Sequence, residues 1–141
     1  MGLDLICGSV SERCGSYSYV HEIRYLLLCA LKEYLEMETT NYNEKVDYLC
    51  QLITKENTIQ YDKADPTKHV HFYKKKLNGF FPFIFHSDCD GSLSSYEAKQ
   101  FLKTFDIVKD YVDYSLKYDD KFFLDSIFRK SISSGQEIYF V

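Results

Sequence analysis

The chain has 141 residues, 45% hydrophobic and 27% charged. That balance suits one globular domain burying about two-thirds of its unfolded surface, and it excludes the charge-rich, aromatic-poor profile of disordered chains. A formal charge of -4 argues against nucleic acid as a partner, and no apolar stretch approaches the roughly 18 residues of a membrane-spanning helix. The thirteen Tyr and eleven Phe, with no Trp, read as a compositional bias rather than a binding signature.

Leu3, Leu5 and Cys7 alternate with polar residues and predict a short strand over 2–7. Gly8 and Gly15, set among Ser and Glu, mark a loop. Ser18 is the expected cap of a helix over 19–37, whose stripe is Val20, Ile23, Leu27, Leu31 and Leu35. Residues 39–43 break the pattern. Asn43 then caps a second helix over about 44–56, with Val46, Leu49, Cys50 and Ile53 at helical spacing.

Residues 57–65 are a polar connection. Asp65-Pro66 opens a short helix that Asn78-Gly79 stops, although His69-Val-His-Phe-Tyr73 also has strand character. Phe80 to Phe85 is a buried apolar run in which Pro82 prevents a long helix. Ala98, Phe101, Leu102 and Phe105 form the next helical stripe, and Ile107, Val108, Tyr111 and Val112 continue it to about 116 in a shifted phase. A bend near Phe105 to Asp106 would reconcile the two. Asp119 or Asp120 starts a last helix with Phe123, Leu124, Ile127 and Phe128 inward, and residues 138–141 form a terminal strand beside the first. The expected fold is mainly α (α+β): a single helical domain over 1–141 with a small two-stranded sheet from the chain termini.

The five cysteines, at 7, 14, 29, 50 and 89, form no Cys-x-x-Cys pair. Cys29 and Cys50 are expected in the core, and the pattern favours free thiols in a reducing compartment, the cytoplasm. Asp4 interrupts the apolar start, so no secretory signal is expected, and neither a myristoylation motif nor a carboxyl-terminal prenylation box is present. Lys74 to Lys76 reads as a solvated helix face, so no membrane contact is expected.

Chemistry concentrates in His86-Ser-Asp-Cys-Asp-Gly-Ser-Leu-Ser-Ser-Tyr-Glu97. Calcium takes six to eight hard oxygen ligands, and a twelve-residue loop provides them from positions 1, 3, 5, 7, 9 and 12 with Gly at 6. Counting from His86 places Asp88, Asp90, Ser92, Ser94 and Glu97 at positions 3, 5, 7, 9 and 12, with Gly91 at 6 and Leu93 at 8. The segment, with the helix that follows to residue 105, resembles the EF-hand family over these twelve residues, as a single loop without the usual second one. The resemblance implies a calcium ion held by Asp88, Asp90, Ser92, Ser94 and Glu97, with His86 in place of the family's first aspartate.

Two other readings stay open. Asp90-Gly91 is a turn former and Ser94-Ser-Tyr-Glu97 is a capping box, so the string also suits a metal-free turn and helix cap in a non-catalytic protein–protein interaction domain. His86 with Asp88, together with His69 and His71, could instead converge on zinc or another transition metal, provided 69–73 is a strand. Cys14 and Cys89 lack an activating neighbour, and no phosphate loop, nucleophile elbow or His-Glu-x-x-His appears, so the residues support no enzyme assignment.

Overall fold

The computed structural model describes residues 2–38, 43–54, 58–86, 90–112 and 121–141. The architecture is mainly α with a small antiparallel sheet. Among the described residues, no helix is long and apolar enough to cross a membrane.

Strand β1 (Gly2–Cys7) places Leu3, Leu5 and Cys7 at 0% exposure, as alternation predicts. It pairs with β4 (Ile138–Phe140), so the chain termini do meet. Among the described residues the sheet has four strands rather than two, in the order β2-β1-β4-β3. β2 (Val10–Ser16) occupies the stretch expected to be a loop. It is an edge strand of mostly exposed or half-exposed residues, so it lacks the apolar alternation that reveals a strand. A register shift between Leu3, paired with Gly15, and Asp4, paired with Arg13, leaves Cys14 as the extra residue of a bulge beside Gly15, whose φ is 120°. The fourth strand, β3 (Ser92–Leu93), comes from the 86–97 segment.

Helix α1 (Tyr17–Glu38) buries all five predicted stripe residues. Its first turn is capped by Ser16 rather than Ser18: the Ser16 hydroxyl accepts the Tyr19 N–H at 3.2 Å. Helix α2 (Glu44–Leu52) has the expected cap, with Asn43 accepting the Lys45 N–H at 2.9 Å. Its buried face is Tyr48, Leu49 and Leu52, rotated from the predicted Val46-Leu49-Cys50-Ile53 stripe because Tyr48 packs against His69 and Phe72. Cys50 is accordingly half-buried, and Cys29, on α1, is half-buried as well, so neither is a core thiol. The helix ends at Leu52, short of 56.

Residues 66–75 are helical throughout. Helix α3 (Pro66–His69) is capped by Asp65, and a 3-10 segment (Val70–Lys75) continues it. The stop comes at Lys76, in the left-handed region at φ 58°, three residues before Gly79. Pro82 sits in the first turn of the one-turn helix α4 (Phe81–Ile84), where it costs no hydrogen bond. Helix α5 (Ser95–Val108) runs through 105–106, and the change of phase falls instead at a 3-10 turn over Lys109–Tyr111. Helix α6 (Lys121–Ser134) buries Ile127 and Phe128 at 0%. The expected continuation to 116, the Asp119 or Asp120 cap and the side chains of Phe123 and Leu124 lie outside what is described.

The phenylalanines explain much of the aromatic composition. Phe101 meets Phe128 edge-on at 4.6 Å between centroids, and Phe80 and Phe83 pack on Phe101 at 5.0 and 5.6 Å. Phe83 also reaches Phe140 at 6.2 Å, joining the helices to the sheet. These aromatic pairs supply shape-specific contacts in addition to buried area.

Thr104 fastens α5 to the turn after the 3-10 segment. It is completely buried, donates to the Lys76 carbonyl at 2.7 Å and accepts the Gly79 N–H at 2.9 Å. Gly79 lies against the Gln100 backbone, where a Cβ has no room. Thr104→Val keeps the shape but strands both backbone groups, so we expect a loss of about 2–3 kcal/mol. Urea unfolding checks this: the midpoint should fall at an unchanged m value.

Candidate functional site

The 86–97 segment runs from the end of α4 to the start of α5. Its second half is ordered by local chemistry. Gly91 has a φ of 82°, a conformation that favours glycine, and a Cβ there would press on the His86 ring. Ser92 and Leu93 pair with Tyr139 and Ile138 of β4, and the Phe140 N–H donates to the Gly91 carbonyl at 3.0 Å. Leu93 therefore points into the core at 2% exposure.

The two oxygens that the calcium pattern uses at positions 7 and 12 already have partners. The Ser92 carbonyl lies 3.1 Å from His86 Nε2. A carbonyl can only accept, so that nitrogen carries a proton and is not free to ligate a metal in this arrangement. The His86 ring is also stacked on Phe140 at 3.9 Å. Glu97 Oε1 accepts the Ser94 N–H at 2.9 Å while Ser94 Oγ accepts the Glu97 N–H at 3.1 Å, a complete capping box. Asp90 is exposed. Asp88 and Cys89 lie outside the described residues, as does the Cys14 side chain.

Behind the segment stands Arg24, which sequence reasoning missed. It is 1% exposed, its Nη2 donates to the His86 carbonyl at 3.1 Å, and its guanidinium carbon lies 5.3 Å from the centre of the Phe83 ring. The signal was available: position 24 falls on the α1 stripe, four residues after Val20 and three before Leu27. A permanently charged residue at an apolar stripe position marks a buried cation.

His69 and His71 do not converge with His86. On a helical backbone they project apart; His71 is exposed, whereas His69 is packed against two rings, 4.1 Å from Phe81 and 5.3 Å from Phe85. Tyr48 OH receives the Asp65 N–H at 2.9 Å, which directs its own proton to His69 Nε2 at 2.7 Å. The imidazole proton then sits on Nδ1. Among the described residues, no group of three or more His, Cys, Asp or Glu could hold a metal.

An open groove of about 510 Å³ lies beside these rings. Tyr61, Tyr73, Phe85 and Pro82 form its apolar walls, with Asn78 and Glu97 as polar members. Tyr61 and Phe85 meet at 87° with centroids 6.1 Å apart, so they make a corner. Tyr61 and Tyr73 are exposed at 39% and 59%. Sequence reading passed over Tyr61 as part of a polar connection. No protein-family model, curated protein or solved structure matches the chain.

Burial pushes the pKa of His69 below its ordinary value, with Asp65 opposing weakly. The unfolded chain therefore takes up the proton first as pH falls, at about 6.5. The stability contributed by neutral His69 is full above that pH and is lost on acidification towards the folded pKa. Melting temperature should fall between pH 7.5 and 5.5, with a smaller slope in His69→Phe, which keeps the ring stack; equal slopes would mean another group titrates.

Proposed function

We propose that this chain is a non-catalytic protein–protein interaction domain in which residues 86–97 form a metal-free turn and helix cap. One observation carries the reading: the oxygens that an ion would need at positions 7 and 12 are engaged with His86 and with the Ser94 amide. Calcium would have to compete with the hydrogen bonds that already orient both groups. It would also add positive charge to a segment whose His86 carbonyl already holds the buried guanidinium of Arg24, and like charges repel. The interaction half of the reading rests on the aromatic groove, because exposed aromatic clusters mark binding surfaces more often than single exposed residues do. The negative formal charge favours a protein partner over nucleic acid, and the five cysteines without paired spacing favour the cytoplasm.

A calcium-stabilised EF-hand-like loop is the second reading. It is favoured by the positive φ of Gly91, the inward Leu93, the short β pairing at positions 7 and 8, and the helix that begins at Ser95. In that form Glu97 leaves the cap to join the ion.

Glu97→Gln separates the two, because glutamine also completes a capping box but is a poor calcium ligand. Calorimetric titration of the wild type with millimolar calcium should give no binding heat, and Glu97→Gln should unfold at nearly the wild-type temperature. Calcium heat that disappears in Glu97→Gln would overturn the metal-free reading in favour of the second. Zinc heat that survives Glu97→Gln and is lost in His71→Ala would transfer the site to a transition metal.

A further inference from the structure

The groove beside Glu97 has a chemistry more specific than exposure alone. Its corner is built from π faces, whose quadrupoles present negative charge to a ligand. Among the described residues lining it, Glu97 carries a formal charge and none is lysine or arginine. The imidazole of His69 is packed against Phe81 and Phe85 and tied to Tyr48, and its burial holds the pKa below the ordinary value, so it adds no positive charge at neutral pH. Every electrostatic contribution these groups make therefore has the same sign. A planar cation fits better than a compact one: it can lie flat on Tyr61 or Phe85 while directing N–H groups to a carboxylate. Glu97 retains acceptor capacity for this, because a carboxylate offers about four lone-pair sites and the cap accounts for one hydrogen bond, to Oε1. Asn78 adds amide groups able to meet an extended backbone.

We propose that this groove binds an arginine side chain presented by an extended segment of a partner protein, with the guanidinium stacked in the Tyr61–Phe85 corner and paired with Glu97. The proposal rests on the interaction-domain reading and names the partner's chemistry. Charge complementarity selects the occupant: the walls and the carboxylate favour a cation, and the aromatic stack favours a guanidinium.

The test uses the full chain, isotopically labelled, and two capped peptides, acetyl-Leu-Pro-Arg-Pro-Leu-amide and its citrulline counterpart, which has nearly the same shape without the charge. The arginine peptide should shift amide resonances around Tyr61, Tyr73, Phe85 and Glu97, and bind at least tenfold more tightly than the citrulline peptide. Raising salt from about 50 to 500 mM should weaken it, since partly exposed charges are screened. Tyr73→Ala and Glu97→Gln should each reduce binding severalfold. Both variants are expected to fold, because Tyr73 is exposed and the amide introduced by Glu97→Gln preserves the cap; Met37→Ala, 72% exposed on α1, serves as the control.

Equal binding of the two peptides would overturn the arginine assignment while leaving an apolar docking groove and the interaction-domain reading in place. Shifts confined to the separate cavity lined by Asp47, Gln51 and Lys68 would overturn the location. Absence of binding by either peptide would also overturn the proposal, as would a concentration-dependent dimer that protects the groove, since a second copy would then be its occupant. Calcium heat abolished by Glu97→Gln, read independently, is the result that removes the underlying reading as well.

Discussion

Three residues at the end of the chain hold its most distant parts in register. β4 lies between β1 and β3, so Ile138 to Phe140 must satisfy two neighbours at once. Asp4 and Val141 exchange reciprocal backbone hydrogen bonds at 3.0 and 2.9 Å, and on the other side the Phe140 amide reaches the Gly91 carbonyl at 3.0 Å. Closing a loop of more than a hundred residues costs several kcal/mol more than closing a turn, although that cost grows only logarithmically with length. Such a short strand cannot repay it by backbone hydrogen bonds alone. The side chains complete the fastening: Ile138 and Phe140 are buried, and Phe140 packs against Phe83 and under the His86 ring.

The same strand explains the shape of the 86–97 segment. Once Ser92 and Leu93 pair with β4, the chain must turn sharply before them and start a helix after them. Gly91 supplies the turn and the Ser94–Glu97 box supplies the helix start. Arg24 then ties the beginning of the segment to α1 through the His86 carbonyl. A buried guanidinium is costly to desolvate and difficult to replace singly, because removing it leaves its buried partners without their donor. The segment is thus anchored at both ends and in the middle by contacts that require no ion.

Much of this fold was legible in the sequence, and the illegible parts share a cause. α1, α5 and the terminal strands have one apolar face against one core, so periodicity exposes them. β2 is an edge with little buried surface, and its residues, Val10 to Ser16, carry no alternation to read. The buried face of α2 was misjudged because Tyr48, amphipathic, ranks poorly in a hydrophobic count yet packs inward at 2% exposure while its hydroxyl is satisfied by His69 and Asp65. The helix after Pro66 could be chosen over a strand from its Asp-Pro start, but its 3-10 continuation could not. At the candidate site, spacing offered Gly91, Ser94 and Glu97 both as parts of a calcium loop and as a turn and cap, while Arg24 and the Tyr61–Tyr73–Phe85 corner arise from residues far apart in sequence and become visible only in three dimensions.

Glu97 belongs to both structures, and this links them. Its carboxylate closes the cap at the start of α5 and also borders the aromatic groove. A calcium ion in the 86–97 segment would draw that carboxylate away from the groove and from the Ser94 amide. A cation in the groove would instead reinforce its present position, adding a second electrostatic restraint to a side chain already held by its cap. The two readings of the segment are therefore competitors for one functional group, and ligands of the two kinds must weaken each other by the same free energy. With Arg24 disfavouring added positive charge on the inner side of the segment and the aromatic corner favouring it on the groove side, the balance of charges at Glu97 points outward.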